Sequence, residues 1–310
     1  MMKTIHKPLC LLLVAASLCA CSKSESGEQL SGGDAIRLSA GLLSASVQSK
    51  APIESGDTFT PAVAGWESSA TASYTAAPTW NTTTSEITAS ATAQAVTLTA
   101  PQVYNANGAV KTYMKAWYPQ GGLNNGMVSF VGDSKYTDDG TVDVLLASEV
   151  SGSKSDRENK VLAFEHLATQ LKFVVKAGQG LAADTKLTKI ELKNVEVPSG
   201  INLATDALLS SSKNVLVVPG IDGNLVIGTT VTGDPAGSPL MIVPPTGNTV
   251  TLKVTTSTTE FDNIVATIDT DTAFQAGKAY TIMLTFSQKN IELSATLAEW
   301  SVGTGSGTVE

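Results

Sequence analysis

Apolar and polar residues alternate along most of the chain, and turn-forming Gly, Pro, Asn and Asp interrupt them about every 8–14 residues, as in a chain built of short strands. "DAIRLSAGLLSASVQ" predicts a first strand over about residues 34–47, and "SKAPIESGDTF" at 49–59 reads as a turn. From Thr60 to Trp80 the pattern is mixed, and "TAAPTWNTTTSEITAS" reads as a loop or hairpin. "QAVTLTAPQVY", "VKTYMKAWYPQGG", "GMVSFVG" and "TVDVLLASEV" then predict strands that complete a first sandwich. "SGSKSDRENK" at 151–160 has no apolar period and predicts a junction. A second series follows, from "VLAFEHLATQLKFVVKAG" to "AYTIMLTFSQ", with Tyr280, Ile282, Leu284 and Phe286 forming one inner face. The last strand, from Ile291, alternates through Leu293, Ala295 and Leu297 and then shifts phase to Trp300 and Val302, which predicts a bulge or break near Ala298. No later segment could pair with it. It must return to an edge of its own sheet or fill a groove elsewhere.

The start of the chain changes the picture. "MMKTIHKPLCLLLVAASLCAC" has a basic end, an apolar stretch too short to span a bilayer, and a small residue before a cysteine. With Leu18 at −3 and Ala20 at −1, the layout predicts a lipoprotein signal over residues 1–20 and lipidation of Cys21. Ser22 follows without an inner-membrane retention aspartate, so the expected location is the outer membrane, with the domain anchored by lipid. Residues 22–33, "SKSESGEQLSGG", read as a tether. Removal of 1–20 leaves Cys21 as the sole cysteine, so neither a disulfide nor a cysteine metal site is expected.

Composition limits the chemistry. Thr, Ser, Val, Ala and Gly are abundant, and aromatic residues make up only 5%, which suits an all-β extracellular protein. With 20 Lys+Arg against 28 Asp+Glu, the formal charge of −8 argues against a nucleic-acid partner. Beyond the signal His166 is the single histidine, set among apolar residues, and a structural hydrogen bond is its expected role. Asp138, Asp139 and Asp143 around Gly140 lack the spacing and closing Glu of an EF-hand and predict a turn. Trp66, Trp80, Trp117 and Tyr118 are expected in the core ahead of a sugar-binding platform. Neither a catalytic constellation, a metal site nor a cofactor is predicted.

Taken in order along the chain, the signal at Cys21, "SVQSKAPI", "DVLLASEV", "FEHLATQLKFVV", "ELKNVEV", "LMIVPP", "GKAYTIMLTF" and "ELSATLAEWSVG" resemble the fimbrillins, the type V pilins of Bacteroidales, and their fimbrillin-like lipoprotein relatives. The resemblance implies two transthyretin-like Greek-key β-sandwich domains, here over 51–157 and 158–310, after a propeptide at 21–50 that carries a removable first strand. It implies handling by the lipoprotein-processing machinery, then cleavage by an Arg/Lys-specific surface protease. The corresponding bond is Lys50–Ala51, with Arg37 as a competing site inside the strand that must leave. The emptied groove would take a terminal strand of another pilin subunit. The expected donor is about 291–302, with Ile291, Leu293, Ala295, Leu297 and Trp300 as its apolar residues. The expected function is a pilin of a cell-surface fimbrium serving adhesion, with a host receptor or glycan as a further partner. The alternative is a surface lipoprotein that binds glycan or host protein and never polymerises.

Overall fold

In the computed structural model, residues 34–42, 53–230, 234–268, 273–288 and 290–299 are described, and among them there are strands and turns but no helix. The first twelve strands are β1 (Leu38–Leu42), β2 (Thr58–Phe59), β3 (Ala62–Ser68), β4 (Trp80–Thr83), β5 (Ile87–Thr88), β6 (Gln94–Val96), β7 (Lys111–Tyr118), β8 (Gly122–Asn124), β9 (Met127–Ser129), β10 (Leu145–Ala147), β11 (Val150–Ser153) and β12 (Lys160–His166). The remaining nine are β13 (Thr169–Ala177), β14 (Lys186–Asn202), β15 (Ala207–Val217), β16 (Leu225–Val226), β17 (Leu240–Ile242), β18 (Thr249–Thr256), β19 (Glu260–Thr267), β20 (Lys278–Phe286) and β21 (Ile291–Glu299).

The N-terminal sheet runs β4-β3-β7-β10-β12-β1-β6, with β11 also on β7 and a small β2–β5 ribbon beside it. Both of its faces are covered. Val63, Met114, Ala116, Leu145 and Ala147 enter one core with Leu38, Ala40, Leu42, Leu162 and Phe164, while Ala62, Ala64, Trp66, Trp117 and Leu146 enter a second core with Val128, Phe130, Ile201 and Leu203. Burial on both faces removes the need for alternation, so "AVAGW" can be a strand without a period-2 signal. The mixed pattern at 60–80 is thus β3, a turn and the start of β4, and the two strands pair antiparallel as a hairpin.

The C-terminal half pairs a sheet of order β17-β13-β20-β21 with one of order β19-β18-β14-β9-β8, and one core of Leu, Ile, Val and Phe side chains lies between them. As the alternation predicted, Tyr280, Ile282, Leu284 and Phe286 are all buried there. The two halves share a sheet. The 17-residue β14 pairs with β16 and β18 near its start and takes the β8–β9 hairpin near its end, through Gly200↔Ser129, Ile201↔Val128 and Asn202↔Met127. Gly200 marks this meeting because a Cβ there would stand 2.1 Å from the Val128 carbonyl oxygen. Residues 158–166 also lie differently from the sequence division. Of these, Lys160–His166 form β12 of the N-terminal sheet, and the passage to the second half falls at Leu167–Ala168, while the polar stretch at 151–160 carries β11 and a tight turn.

A buried lysine ties the halves together. Lys115 on β7 is 4% exposed; its Nζ donates to the Leu203 carbonyl at 2.7 Å and to Asp206, and lies 4.5 Å from the centre of the Tyr74 ring. Charged hydrogen bonds of this kind each stabilise by about 1.5–3 kcal/mol. Because Asp206 is half exposed and can rehydrate, Lys115→Ala is expected to cost about 2 kcal/mol in chemical denaturation. An unchanged midpoint would show that water replaces the ammonium without loss.

Candidate assembly site

β1 lies inside its sheet. On one side it pairs in parallel with β12, from Leu38↔Lys160 to Leu42↔Phe164; on the other it pairs antiparallel with β6, from Leu38↔Val96 to Ala40↔Gln94. Alternation turns Leu38, Ala40 and Leu42 inward, where they are 2%, 0% and 0% exposed, and Arg37 faces solvent. Gly41 backs onto the loop at 90–93, where an added Cβ would meet Ala93 Cα at 3.2 Å and the Ser90 carbonyl oxygen at 3.3 Å. Asn159 Nδ2 donates to Ser39 Oγ at 2.8 Å. The start of the strand is held by Asp34, which pairs with Lys154 at 3.2 Å and Arg157 at 3.1 Å, and by Ile36 N donating to the Gln102 carbonyl.

The described chain resumes at Ile53, near the end of β12 where β1 stops. Ile53 N donates to Asp143 Oδ2 at 3.2 Å, and the same oxygen accepts from His166 Nδ1 at 2.8 Å. Gly56 N donates to the Ala89 carbonyl at 2.9 Å, which continues the anchorage. His166 is thus a buried structural partner of an aspartate 23 residues away. Glu54 and Lys172 approach to 3.9 Å; burial pushes the Lys172 ammonium down from its usual range, and Glu54 pulls it back. Near the strand's start, burial pushes the Tyr104 phenol up to about 12, with Asp156 adding to the shift. It stays neutral at physiological pH.

β21 forms a regular antiparallel ladder with β20, from Phe286↔Ile291 to Lys278↔Glu299. Its partner precedes it, joined by a turn in which Ser287 N donates to the Asn290 carbonyl. The register is unbroken through Glu299, with Ala298 opposite Ala279, while Trp300 and Val302, whose phase shift suggested a bulge or break, lie outside the described residues. Burial of the alternating apolar side chains is uneven along this edge strand. Ala295 is buried, Ile291 and Leu293 are half-buried, and Leu297 is 46% exposed.

Cys21, Lys50, Ala51 and Trp300 lie outside the described residues. Trp66 and Trp117 are buried, and Trp80 and Tyr118 are half-buried against the core, so these four form no exposed aromatic platform. Asp139 accepts from Thr137 and Thr141 within the turn, and hydrogen bonding holds its carboxyl below the usual range against the opposing effect of burial. Among the described residues no three His, Cys, Asp or Glu side chains converge on a metal position.

Crystal structures of other proteins share this all-β fold. A cell adhesion protein of Bacteroides uniformis, so named, superposes with a TM-score of 0.55 at 18% identity, covering 86% of this chain and 99% of that one. One from Bacteroides ovatus gives 0.55 at 16%, covering 88% and 100%. The sequence adds the family: residues 47–300 match the fimbrillin-like family, and the chain belongs to it. A Bacteroides uniformis protein named as a fimbrium subunit, Fim1C, is 25% identical over 202 residues, which is 62% of this chain and 62% of that protein's length.

Proposed function

We propose that the protein is a structural fimbrium subunit, exported as a lipoprotein through Cys21, released from its propeptide at Lys50–Ala51 and polymerised by strand donation. One observation carries the reading. β1 is an internal strand that precedes the processing segment, while the chain beyond that segment is independently anchored at Ile53, so a single cut in between would free β1 and leave the rest in place.

Loss of β1 would uncover the backbone groups of β6 and β12 and remove Ile36, Leu38 and Leu42 from the core. At about 1.5–3 kcal/mol for each large side chain, roughly 5–9 kcal/mol of burial goes with it. A replacement strand recovers that burial and the ladder, which makes polymerisation downhill. Arg37 is a poorer site for the first cut. Its carbonyl accepts from Lys160 N at 3.1 Å, and the ladder begins at the next residue, whereas a protease needs an unpaired, extended segment.

Lys50→Ala should therefore abolish conversion of the precursor, read as the mass and N-terminus of the surface protein. Continued conversion at Arg37 with normal fibres would refute the assignment. The full pairing of β21 with its own β20 favours a second reading, a monomeric surface lipoprotein that binds a glycan or host protein. Recovery of the surface form with an acylated Cys21 would establish that alternative. An N-terminus at Ala51 would establish the subunit, with other pilin subunits as its partners in the fimbrium.

A further inference from the structure

The strand that would leave and the strand that ends the chain are near copies. Residues 36–42 read Ile-Arg-Leu-Ser-Ala-Gly-Leu, and residues 291–297 read Ile-Glu-Leu-Ser-Ala-Thr-Leu; five of the seven positions are identical. We infer the register of the donated strand: residues 291–297 of a neighbouring copy lie in the place of β1 with Ile291 at the Ile36 position and Leu297 at the Leu42 position. The inference rests on the strand-donation reading and adds to it the register.

Each position fits what β1 leaves behind. Leu293, Ala295 and Leu297 repeat the large, small, large order of Leu38, Ala40 and Leu42, which matters because Ala40 is fully enclosed. Ser294 brings the hydroxyl that accepts from Asn159 in place of Ser39. Glu292 falls at the exposed position of Arg37. A slip of one residue would turn the apolar set outward, and a slip of two would put Leu293 or Leu297 on the Ala40 site.

In its own sheet the segment is an edge strand with Leu297 46% exposed, whereas in the groove it would be paired on both sides and Leu297 enclosed as Leu42 is. The one poor match is Thr296 at the Gly41 position, where a Cβ stands 3.2 Å from Ala93 Cα. Ala93 belongs to an exposed loop that can yield by a few tenths of an ångström. The propeptide strand thus fits slightly better than its replacement, which keeps the precursor closed until it is cut.

The test uses the full chain as the sole subunit, processed with trypsin and probed with a short thiol cross-linker. Ser39 pairs with Val161, an exposed residue, so a chain carrying Val161→Cys and Ser294→Cys should link copy to copy into a ladder of multimers. The pairs Val161→Cys with Glu292→Cys, and Val161→Cys with Thr296→Cys, report slips of two and should link at least tenfold less. Thr296→Gly should speed assembly several-fold by relieving the contact with the loop at 90–93. Multimers that link through 292 or 296, or that form only when a different subunit is supplied, would overturn self-donation in this register and leave strand donation standing. If processed chains form no multimers with any partner, strand donation fails and this inference fails with it.

Discussion

Leu297→Asp should leave the precursor folded and stop its assembly. In the precursor Leu297 lies near the end of an edge strand and is nearly half exposed, so a carboxylate there stays hydrated, and the expected change in stability is within about 0.5 kcal/mol. In the groove the same side chain would take the site of Leu42, which is fully enclosed among Leu162, Phe164 and their neighbours. An unpaired carboxylate in such a site costs several kcal/mol. At about 1.4 kcal/mol per factor of ten, a penalty of about 4 kcal/mol lowers the association constant roughly a thousandfold. Thermal denaturation of the precursor and sedimentation of the processed protein measure the two halves of this expectation. Normal polymers from a folded Leu297→Asp chain would exclude this residue from the donor.

Asp143→Ala should be the most damaging single change to the fold near the site, at about 3–5 kcal/mol. One carboxylate oxygen accepts from both His166 Nδ1 and Ile53 N, and the other accepts from Val144 N at 2.8 Å. His166 and Asp143 are both buried, so removing the carboxylate strands a ring N–H and a backbone N–H away from water, at about 1–3 kcal/mol each. His166→Gln keeps a donor near the carboxylate and should cost less, about 1–3 kcal/mol. The two readouts are a denaturation midpoint and the protease sensitivity of residues 53–59. The loss of anchorage at Ile53 should make that segment a new cutting site. A full loss of stability with residues 53–59 still protected would mean that Gly56 and its neighbours hold the segment without Asp143.

How much of this was legible in the sequence follows from the range of each interaction. The strand at 278–286 and its buried face could be read because its alternation is local and one face is solvated. The structural role of His166 could be read from its apolar setting, but its partner could not, since Asp143 lies on a neighbouring turn with no fixed offset. β15 is hard to read in the sequence for the opposite reason to β3. Its "LLSSSKNVLV" looks like a loop that becomes a strand only at the end, yet as an edge strand paired to β14 from Ala207 to Val217 it has little need of apolar side chains. The first strand was visible, but its parallel pairing with residues 160–164 was not, because side-chain period says nothing about which strand lies beside it. The same limit hid the shared sheet: two-residue pleating marks β9 and β14 as strands and leaves their meeting at Gly200 to the tertiary fold.

That shared sheet has a mechanical consequence for any fibre made of such subunits. Tension would enter at the C-terminal strand and leave through the N-terminal sheet, so it must cross from one half to the other. β14 runs its 17 residues through that crossing, and Lys115 adds a second connection beside it. Antiparallel hydrogen bonds stand perpendicular to the strands, so a pull along β14 loads many of them in shear at once and does not unzip them singly. Resistance to pulling is set by the rate of forced unfolding, which depends on this geometry more than on equilibrium stability. A subunit joined in this way carries load as one strut rather than as two beads on a hinge.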